Sequence, residues 1–515
     1  MSFTTPTFVI AAVTSVVLYY LIPKRTRPYL LLAASLGFYL AGGWQAMVYL
    51  VGCGLLTYSA SLGIDAVRAK IEDSSRAKFF CKTLAAGCIF LCFGLLFAVK
   101  YWDWFAVLTA DAMLKLGFGA PLPTLELIVP LGISFYTFKS VGYVIDVYRK
   151  KYPAERNFAR HLLFVSYFPQ IVQGPISRRN ELMDAIDNPS PDIALNLKCG
   201  IQTALRGYLK KLVIADRAAV AVNAILGDPE GYGGAMVLMA ILLYSIQLYC
   251  DFSGGIDMAR GISLAYGVEM TENFRRPLFA SSLADYWRRW HITLGSWMRD
   301  YVFYPLSLSK PLIKFGKFTR KRIGGKLGKI LPTSAATFAI YIFIGIWHGA
   351  SFKYIAFGFW NGILITASLL LEPLFLRVKE KLSFIGIGAW RVIGILRTNL
   401  IVVAGRYLTR AATFTTALSL FALLFTNPQF GRLFDGSLMG LGLTFEDWII
   451  MLICALALAL FELAEEITGK DMFTLIDERP AALQVAVIAA VLIVLVVFGI
   501  YRGDYIASEF IYKQY

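Results

Sequence analysis

Apolar runs recur along the whole chain, and several of them are long enough to cross a lipid bilayer as a helix. Trp44–Ile64 and Ala482–Ile500 are two examples. A helix needs about 20 mainly apolar residues to span the hydrocarbon core. Only 16% of the 515 residues are charged, against about 25% in an average soluble protein. The sequence therefore predicts an all-α, multi-spanning integral membrane protein with about 11–13 transmembrane or re-entrant segments.

The excess of basic side chains is concentrated in the short segments between apolar runs. The chain has 50 Lys and Arg against 34 Asp and Glu, and basic short loops mark the cytoplasmic face of a membrane protein. Lys310–Lys329 has eight basic residues and no acidic one, so we expect it on that face. Its charge suits either anionic lipid or a phosphorylated co-substrate such as coenzyme A. No basic-aromatic stacking surface accompanies the charge, so we expect no nucleic-acid binding.

Three further expectations concern individual segments. Met1–Ile22 lacks a basic leader and a small-residue cleavage site, so we expect a retained first span. Leu125–Tyr148 is predicted to be one long span, and Arg377–Arg410 a basic, amphipathic segment at the membrane interface. The seven cysteines lie in or beside apolar runs, without histidine or acidic residues at ligand spacing. We therefore predict neither a metal site nor a disulfide framework.

A broken, polar segment follows the first group of spans. His161–Ser177 reads HLLFVSYFPQIVQGPIS and contains two prolines and two glutamines. Irregular backbone at membrane depth is tolerated only where it lines a cavity or is buried in protein. An interfacial loop is the alternative interpretation of the same residues.

The chain has only three histidines, and one of them lies in a charged, aromatic segment. Leu283–Arg299 reads LADYWRRWHITLGSWMR, with four charged residues and three tryptophans. As one helix, it places Asp285 one turn from Arg289, and Trp287 one turn from His291. This composition is too polar for lipid and too apolar for water, so we expect the helix to be buried beside a cavity.

A second histidine, His348, ends the apolar run IGIWH and precedes Gly349. Burial disfavours the imidazolium ion and keeps the ring neutral, so His348 is a candidate general base. We expect it to take a proton from an attacking hydroxyl, while His291 orients it or polarises an acyl carbonyl. Hydrogen-bonded core histidines are the alternative. The sequence has no G-x-S-x-G or H-E-x-x-H motif to support a serine or zinc hydrolase.

These motifs together resemble the membrane-bound O-acyltransferase (MBOAT) superfamily, especially its alginate O-acetylation and teichoic-acid D-alanylation branches. The matching pieces appear in the family's order and cover roughly the middle two fifths of the chain. They are YFPQIVQGPI at Tyr167–Ile176, DFSGGIDMARGI at Asp251–Ile262, ENFRRPLFASSLADYWRRWHITL from Glu272, RDYVFYPL at Arg299–Leu306, and WHG at Trp347–Gly349.

The resemblance implies a ring of helices around a central tunnel, with His348 as the main catalytic histidine and His291 as the second. It implies a single membrane domain over 1–515, divided into amino-terminal helices (1–150), a catalytic core (151–372) and carboxyl-terminal helices with a tail (373–515). The tunnel or substrate-binding side chains implied by the same motifs are Asp251, Asn273, Asp285, Trp287, Arg288, Arg289, Trp290 and Trp347.

The resemblance also implies a reaction and a location. It implies transfer of an acetyl group from acetyl-CoA, or from an acyl carrier thioester, to hydroxyls of an exported or cell-wall polysaccharide. The expected setting is the lipid bilayer of the bacterial cytoplasmic (inner) membrane, with an extracytoplasmic esterase-like partner and no permanently bound cofactor. Gly255 stands where polysaccharide-acetylating relatives usually carry an aromatic residue, which leaves the acceptor open. The tail FIYKQY resembles the aromatic tail of relatives, and Tyr512 in it is a candidate acyl relay.

Two other functions remain open at this point. One is D-alanyl transfer to teichoic acid from a carrier-protein thioester with the same histidines. The other is a transporter or polymer exporter whose charged helix lines a pathway. No inverted repeat or matching pair of broken helices is visible in the sequence to favour transport.

Overall fold

The computed structural model describes residues 2–117, 122–384 and 386–501. These residues form helices and connecting segments, with one isolated antiparallel bridge between Phe274 and Trp290. Two short π-helical segments lie at Leu209–Ala215 and Arg299–Phe303. In chain order, the α-helices are α1 (Pro6–Leu21), α2 (Arg27–Leu40), α3 (Trp44–Lys70), α4 (Ser74–Lys100), α5 (Trp102–Lys115), α6 (Ile133–Tyr148), α7 (Phe158–Ser166), α8 (Phe168–Ile171), α9 (Arg179–Asp187), α10 (Ile193–Tyr208), α11 (Asp216–Gly227), α12 (Pro229–Ala265), α13 (Leu283–Arg289), α14 (Ile292–Met298), α15 (Tyr304–Ser307), α16 (Lys310–Arg322), α17 (Gly325–His348), α18 (Phe352–Leu370), α19 (Glu372–Lys381), α20 (Ile387–Arg410), α21 (Phe414–Thr426), α22 (Phe445–Thr468), α23 (Met472–Asp477) and α24 (Ala481–Phe498).

Eight helices of the described residues are long and apolar enough to cross a membrane: α3, α4, α12, α17, α18, α20, α22 and α24. Two further apolar helices, α1 and α21, are shorter. Helices satisfy their own backbone hydrogen bonds, which is what a lipid environment demands. The all-α, multi-spanning prediction is therefore confirmed, while the ring around a tunnel stays a prediction.

Two of the segment predictions need correction. The span expected at Leu125–Tyr148 begins as a helix only at Ile133, because Pro130 lacks an amide donor and Gly132 adopts a positive φ of 72°. The segment expected at the interface contains α20, which qualifies as a candidate span in spite of its arginines. Its cations are spaced widely enough to leave an apolar stretch of membrane length.

The chain divides into two compact units. One comprises the described residues up to Ala204 together with Gly255–Thr271, and the other comprises Leu205–Gly254 and the described residues from Glu272 onward. The single domain expected over 1–515 stays a prediction.

In the first unit, the broken segment at 161–177 is buried along its whole length. His161 shares a 3.0 Å hydrogen bond with Thr57, and the Tyr167 hydroxyl lies 2.9 Å from Ser263 Oγ. The Lys139 ammonium donates to Gln170 Oε1 at 2.8 Å. Buried polar groups need such partners. These contacts agree with a segment buried in protein and not with an interfacial loop.

In the second unit, α17 and α18 form an antiparallel hairpin whose backbones approach very closely. A Cβ atom added to Gly345 would lie 2.4 Å from the carbonyl oxygen of Tyr354, and one added to Gly358 would lie 2.4 Å from that of Tyr341. Only glycine permits this separation. The close approach fixes the end of α17, and with it the position of His348.

Substituting Gly358→Ala is expected to destabilise the hairpin, because the added methyl group must push α17 away from α18. Overpacking of this kind costs about 1–3 kcal/mol, so the apparent Tm in detergent should fall. The matched control is Gly94→Ala on α4, where no atom lies within 4 Å of the new Cβ. An unchanged Tm for Gly358→Ala would contradict the close packing described above.

Candidate active site

The helix predicted over Leu283–Arg299 is interrupted at His291. Helix α13 ends at Arg289, α14 begins at Ile292, and His291 has left-handed backbone angles of φ 49° and ψ 52°. The expectation of one continuous helix, with Trp287 one turn from His291, is therefore wrong. A left-handed conformation costs a non-glycine residue about 1–2 kcal/mol, so other contacts must hold this turn in place.

The side chain of Asn273 holds the turn at His291. Its Oδ1 accepts hydrogen bonds from the backbone N–H of Thr293 at 3.0 Å and from the Thr293 hydroxyl at 2.9 Å. The same oxygen lies 3.2 Å from His291 Nδ1, and the Asn273 carbonyl accepts from Ile292 N–H at 3.0 Å. Because a backbone N–H can only donate, the atom facing Thr293 must be the amide oxygen. His291 Nδ1 therefore carries the proton, and Nε2 is the basic nitrogen.

Aromatic rings enclose both histidines. The His291 ring centroid lies 5.0 Å from that of Phe252 and 5.9 Å from that of Trp347. The Trp347 ring lies 4.9 Å from His348, which also faces Phe357 at 5.9 Å. The indole of Trp347 thus contacts both imidazoles, and the structure brings together the two histidines that the sequence singled out.

His291 is 3% exposed and lies outside the eight candidate spans. Burial, and to a smaller degree the charge of nearby His348, lower the pKa of His291 to about 3. A desolvated imidazole loses more hydration energy when it is protonated than when it is neutral. His291 is therefore a neutral ring at physiological pH, and it is able to accept a proton or a hydrogen bond.

A second aromatic layer lies beside His291 and includes the predicted residue Trp290. The Trp290 ring stacks on Tyr286 at 5.6 Å and an angle of 16°. The guanidinium of Arg406 lies 5.0 Å from the Trp290 ring and donates to the Tyr286 hydroxyl at 2.8 Å. The sequence analysis did not predict a role for Arg406. It could have been singled out as an arginine inside an apolar segment, because such a residue needs buried partners.

The predicted charged residues of α13 form a network around one glutamate. Arg289 pairs with Asp285 at 3.0 Å, as its spacing predicted, and with Glu466 at 2.9 Å. Glu466 also accepts from Arg276 at 2.9 Å and from Arg391 at 2.8 Å. Glu466, near the end of α22, was not predicted, because nothing in the local sequence indicates a partner this distant.

The side chain of Arg288 is 72% exposed and lies 3.5 Å from Asp285. Its exposure contradicts the expectation that all the charges of α13 are buried. The preceding residue, Trp287, donates from Nε1 to Asn361 Oδ1 at 3.1 Å, and Asn361 donates to the Phe357 carbonyl. Trp287 therefore connects α13 to α18, the helix that carries Phe357 beside His348.

Two other predicted residues have different surroundings. Asp251 is fully buried and pairs with Lys211 at 2.5 Å, and Lys211 also pairs with Asp216 at 2.9 Å. The neighbouring Phe252 packs against His291. Tyr512 lies outside the described residues. The roles in substrate binding and acyl relay predicted for these two residues stay predictions.

Within the part of the chain that the structure describes, no group of three or more His, Cys, Asp or Glu side chains is arranged to hold a metal ion. The site that is present offers two imidazoles, an amide oxygen and aromatic walls. Such a set can move a proton in a place of low polarity, which is the requirement of general acid-base chemistry.

His291 is expected to make stability depend on pH. Its folded-state pKa of about 3 lies below the usual value of about 6.5. The unfolded chain therefore binds more protons as the pH falls below about 6.5, and stability decreases until about pH 3. At pH 5 the expected loss is about 2 kcal/mol. In His291→Asn, which does not titrate, the fall in apparent Tm between about pH 7.5 and pH 5 should be smaller. An equal fall in both proteins would contradict the buried neutral ring.

Comparison with known proteins supports the resemblance drawn from the motifs. The model of "MBOAT, membrane-bound O-acyltransferase family" matches residues 154–320. The probable alginate O-acetylase of Pseudomonas aeruginosa is 33% identical over 348 residues, covering 67% of this chain and 61% of that protein. The peptidoglycan O-acetyltransferase of Helicobacter pylori is 30% identical over 362 residues, covering 65% and 63%.

The teichoic acid D-alanyltransferase of Bacillus subtilis is 29% identical over 255 residues, covering 47% of this chain and 60% of that protein. The chain thus spans less than two thirds of the length of these relatives. The matched family segment includes Asn273, His291 and the charged helix α13. Through residues 154–320, the chain matches the model of the membrane-bound O-acyltransferase family.

Proposed function

We propose that this protein is a membrane O-acetyltransferase. It transfers acetyl from a cytoplasmic thioester, acetyl-CoA, to hydroxyl groups of an exported or cell-wall polysaccharide, and it works in the bacterial cytoplasmic membrane. The observation that carries the proposal is the contact of both His291 and His348 with Trp347, beside a segment that matches the family. The names of two of the relatives, an alginate O-acetylase and a peptidoglycan O-acetyltransferase, support acetyl as the group and a glycan as the acceptor.

His348 is the general base in this proposal. It ends α17, with aromatic rings on several sides and Gly349 following it. The neutral imidazole takes the proton of the acceptor hydroxyl while the hydroxyl oxygen attacks the acetyl carbonyl carbon. The bond from that carbon to sulfur then breaks, and the imidazolium returns its proton to the leaving thiolate. Proton transfer by a positioned side chain contributes about 10²- to 10⁴-fold to such a reaction.

His291 is a positioning residue in the same reaction. With its proton on Nδ1 and directed at Asn273, its Nε2 is an acceptor and has no hydrogen to offer an acyl carbonyl. Of the two roles considered from the sequence, this tautomer favours orientation. Nε2 accepts a hydrogen bond from a donor in the site, either the substrate hydroxyl or the N–H of the second imidazole.

The phosphates of coenzyme A require cations on the cytoplasmic side. Helix α16 carries Lys and Arg side chains that are largely exposed, and it packs on α17 through Thr319, whose hydroxyl donates to the Gly328 carbonyl at 2.8 Å. The cationic surface of α16 thus lies next to α17, the helix that ends at His348, and we assign this surface to the approach of the donor. Attraction of anionic lipid to the same helix is the alternative.

D-alanyl transfer from a carrier-protein thioester is the second candidate, favoured by the teichoic acid D-alanyltransferase among the relatives. It uses the same histidines and the same thioester chemistry. Purified protein offered radiolabelled acetyl-CoA or a D-alanyl carrier protein separates the two candidates, since only the true donor supports transfer.

Substituting His348→Ala is expected to reduce acetylation of surface polysaccharide by about 10²-fold or more, because no group then accepts the hydroxyl proton. His291→Gln should reduce the rate less, since the base remains. The matched control is the third histidine, His161, which is also buried but lies in the other compact unit. Mass analysis of the glycan from cells with each variant is the measurement. Full acetylation with His348→Ala would reject the mechanism.

We assign the acyl relay to Tyr512, whose phenol is then the first acceptor hydroxyl that His348 deprotonates. The final transfer to the polysaccharide is assigned to an extracytoplasmic esterase-like partner. The phenol oxygen attacks the acetyl carbonyl and forms an aryl ester, and the donor thiol leaves with the phenol proton. The ester then passes its acetyl group onward outside the membrane. Tyr512→Phe keeps the ring and removes the oxygen, so acetylation should fall at least about tenfold. Tyr515→Phe is the matched control, and full activity of Tyr512→Phe would exclude the relay.

A further inference from the structure

An apolar cavity lies behind α18, on the face of that helix turned away from His348. It has a volume of about 670 Å³, is open on one side and is bordered by α18, α20 and α21. The lining side chains are aliphatic or aromatic, and they include Ala356 and Trp360 of α18, Ala404 and Tyr407 of α20, and Ala417 of α21. Its size is that of a small-ligand pocket. In a membrane protein, the apolar molecule present at the highest concentration is the lipid chain.

One polar group in the cavity wall lacks a partner. Tyr407 is 4% exposed, and its hydroxyl has no hydrogen-bond partner among the described residues. Its ring packs edge-on against Phe421, another lining residue, at 5.5 Å. Leaving a buried hydroxyl unbonded costs about 1–3 kcal/mol. The group therefore points to a ligand that carries an acceptor atom.

Two cations lie beside one end of the cavity, next to its lining residues although not among them. Lys353 follows the lining residue Phe352, and its ammonium donates to the Ala411 carbonyl at 2.7 Å. Arg410 lies one helical turn beyond Tyr407 and donates to Asn223 Oδ1 at 2.6 Å. The carbonyl that Lys353 contacts belongs to the residue after Arg410, so the two cations lie near each other. Among the residues that the structure describes, neither forms an ion pair with a carboxylate.

We propose that this cavity is a binding site for an anionic phospholipid of the surrounding bilayer. One acyl chain lies between α18, α20 and α21, and the phosphate accepts hydrogen bonds from Lys353, Arg410 and the Tyr407 hydroxyl. The paired cations explain a preference for a net negative headgroup, because a zwitterionic lipid brings its own positive charge to them. The bound chain supports the back of α18, whose other face carries Phe357 and Asn361.

The experiment uses the full chain, purified in detergent and depleted of lipid, and titrated with phosphatidylglycerol or phosphatidylcholine by native mass spectrometry. Wild-type protein should bind phosphatidylglycerol about tenfold more tightly than phosphatidylcholine. A difference of this size is expected when one lipid makes one more charge-assisted hydrogen bond than the other. In the double variant Lys353→Gln and Arg410→Gln, the two lipids should bind almost equally. Tyr407→Phe should weaken both lipids by a similar factor.

Ala404→Phe fills the cavity and should abolish binding of both lipids, and Ala356→Leu tests the same point with a smaller change. The matched control is Ala422→Phe on α21, where the side chain is exposed and does not line the cavity. An apparent Tm measured for each variant separates lost binding from lost folding. Equal affinity of wild-type protein for the two lipids, or unchanged binding in folded Ala404→Phe and Ala356→Leu, would overturn the proposal.

Discussion

One amide oxygen holds the candidate site in its shape. Asn273 Oδ1 accepts from the amide and the hydroxyl of Thr293 and faces the imidazole of His291. A left-handed residue costs about 1–2 kcal/mol, whereas each hydrogen bond contributes about 0.5–1.5 kcal/mol. Three bonds to one buried oxygen are therefore enough to maintain the turn. The same oxygen also selects the imidazole tautomer, so backbone geometry and proton position have one common cause.

The multi-spanning membrane fold and the two candidate histidines could be predicted from the sequence. The length of an apolar segment and the presence of a rare residue type can both be read from a short stretch of sequence. The interruption at His291 could not be predicted. The segment from Leu283 to Met298 contains no proline and continues a helical pattern through Trp290 and His291. The break depends on Asn273, which lies outside that segment and reaches it only in the folded chain.

The partners that lie far along the chain from the buried charges could not be predicted either, for a related reason. Asp285 and Arg289 were predicted to pair because one helical turn separates them. Glu466 and Arg406 contact the same region from helices far along the chain. A charge in an apolar helix indicates that a partner exists, and yet its identity depends on how the helices pack. Lys211 shows the same limit, since it pairs with Asp216 and with the more distant Asp251, and the structure buries all three side chains.

The carboxylate of Glu466 pairs with arginines from three separate parts of the chain, Arg276, Arg289 and Arg391. These cations repel one another more strongly without it, so the four positions are tied by charge more than by shape. In a homologous chain that has lost the acidic residue at the end of α22, at least one of the arginines should also be replaced. Substitutions at these four positions are therefore expected to covary among homologous sequences. This covariation should be detectable even where the surrounding apolar residues vary without constraint.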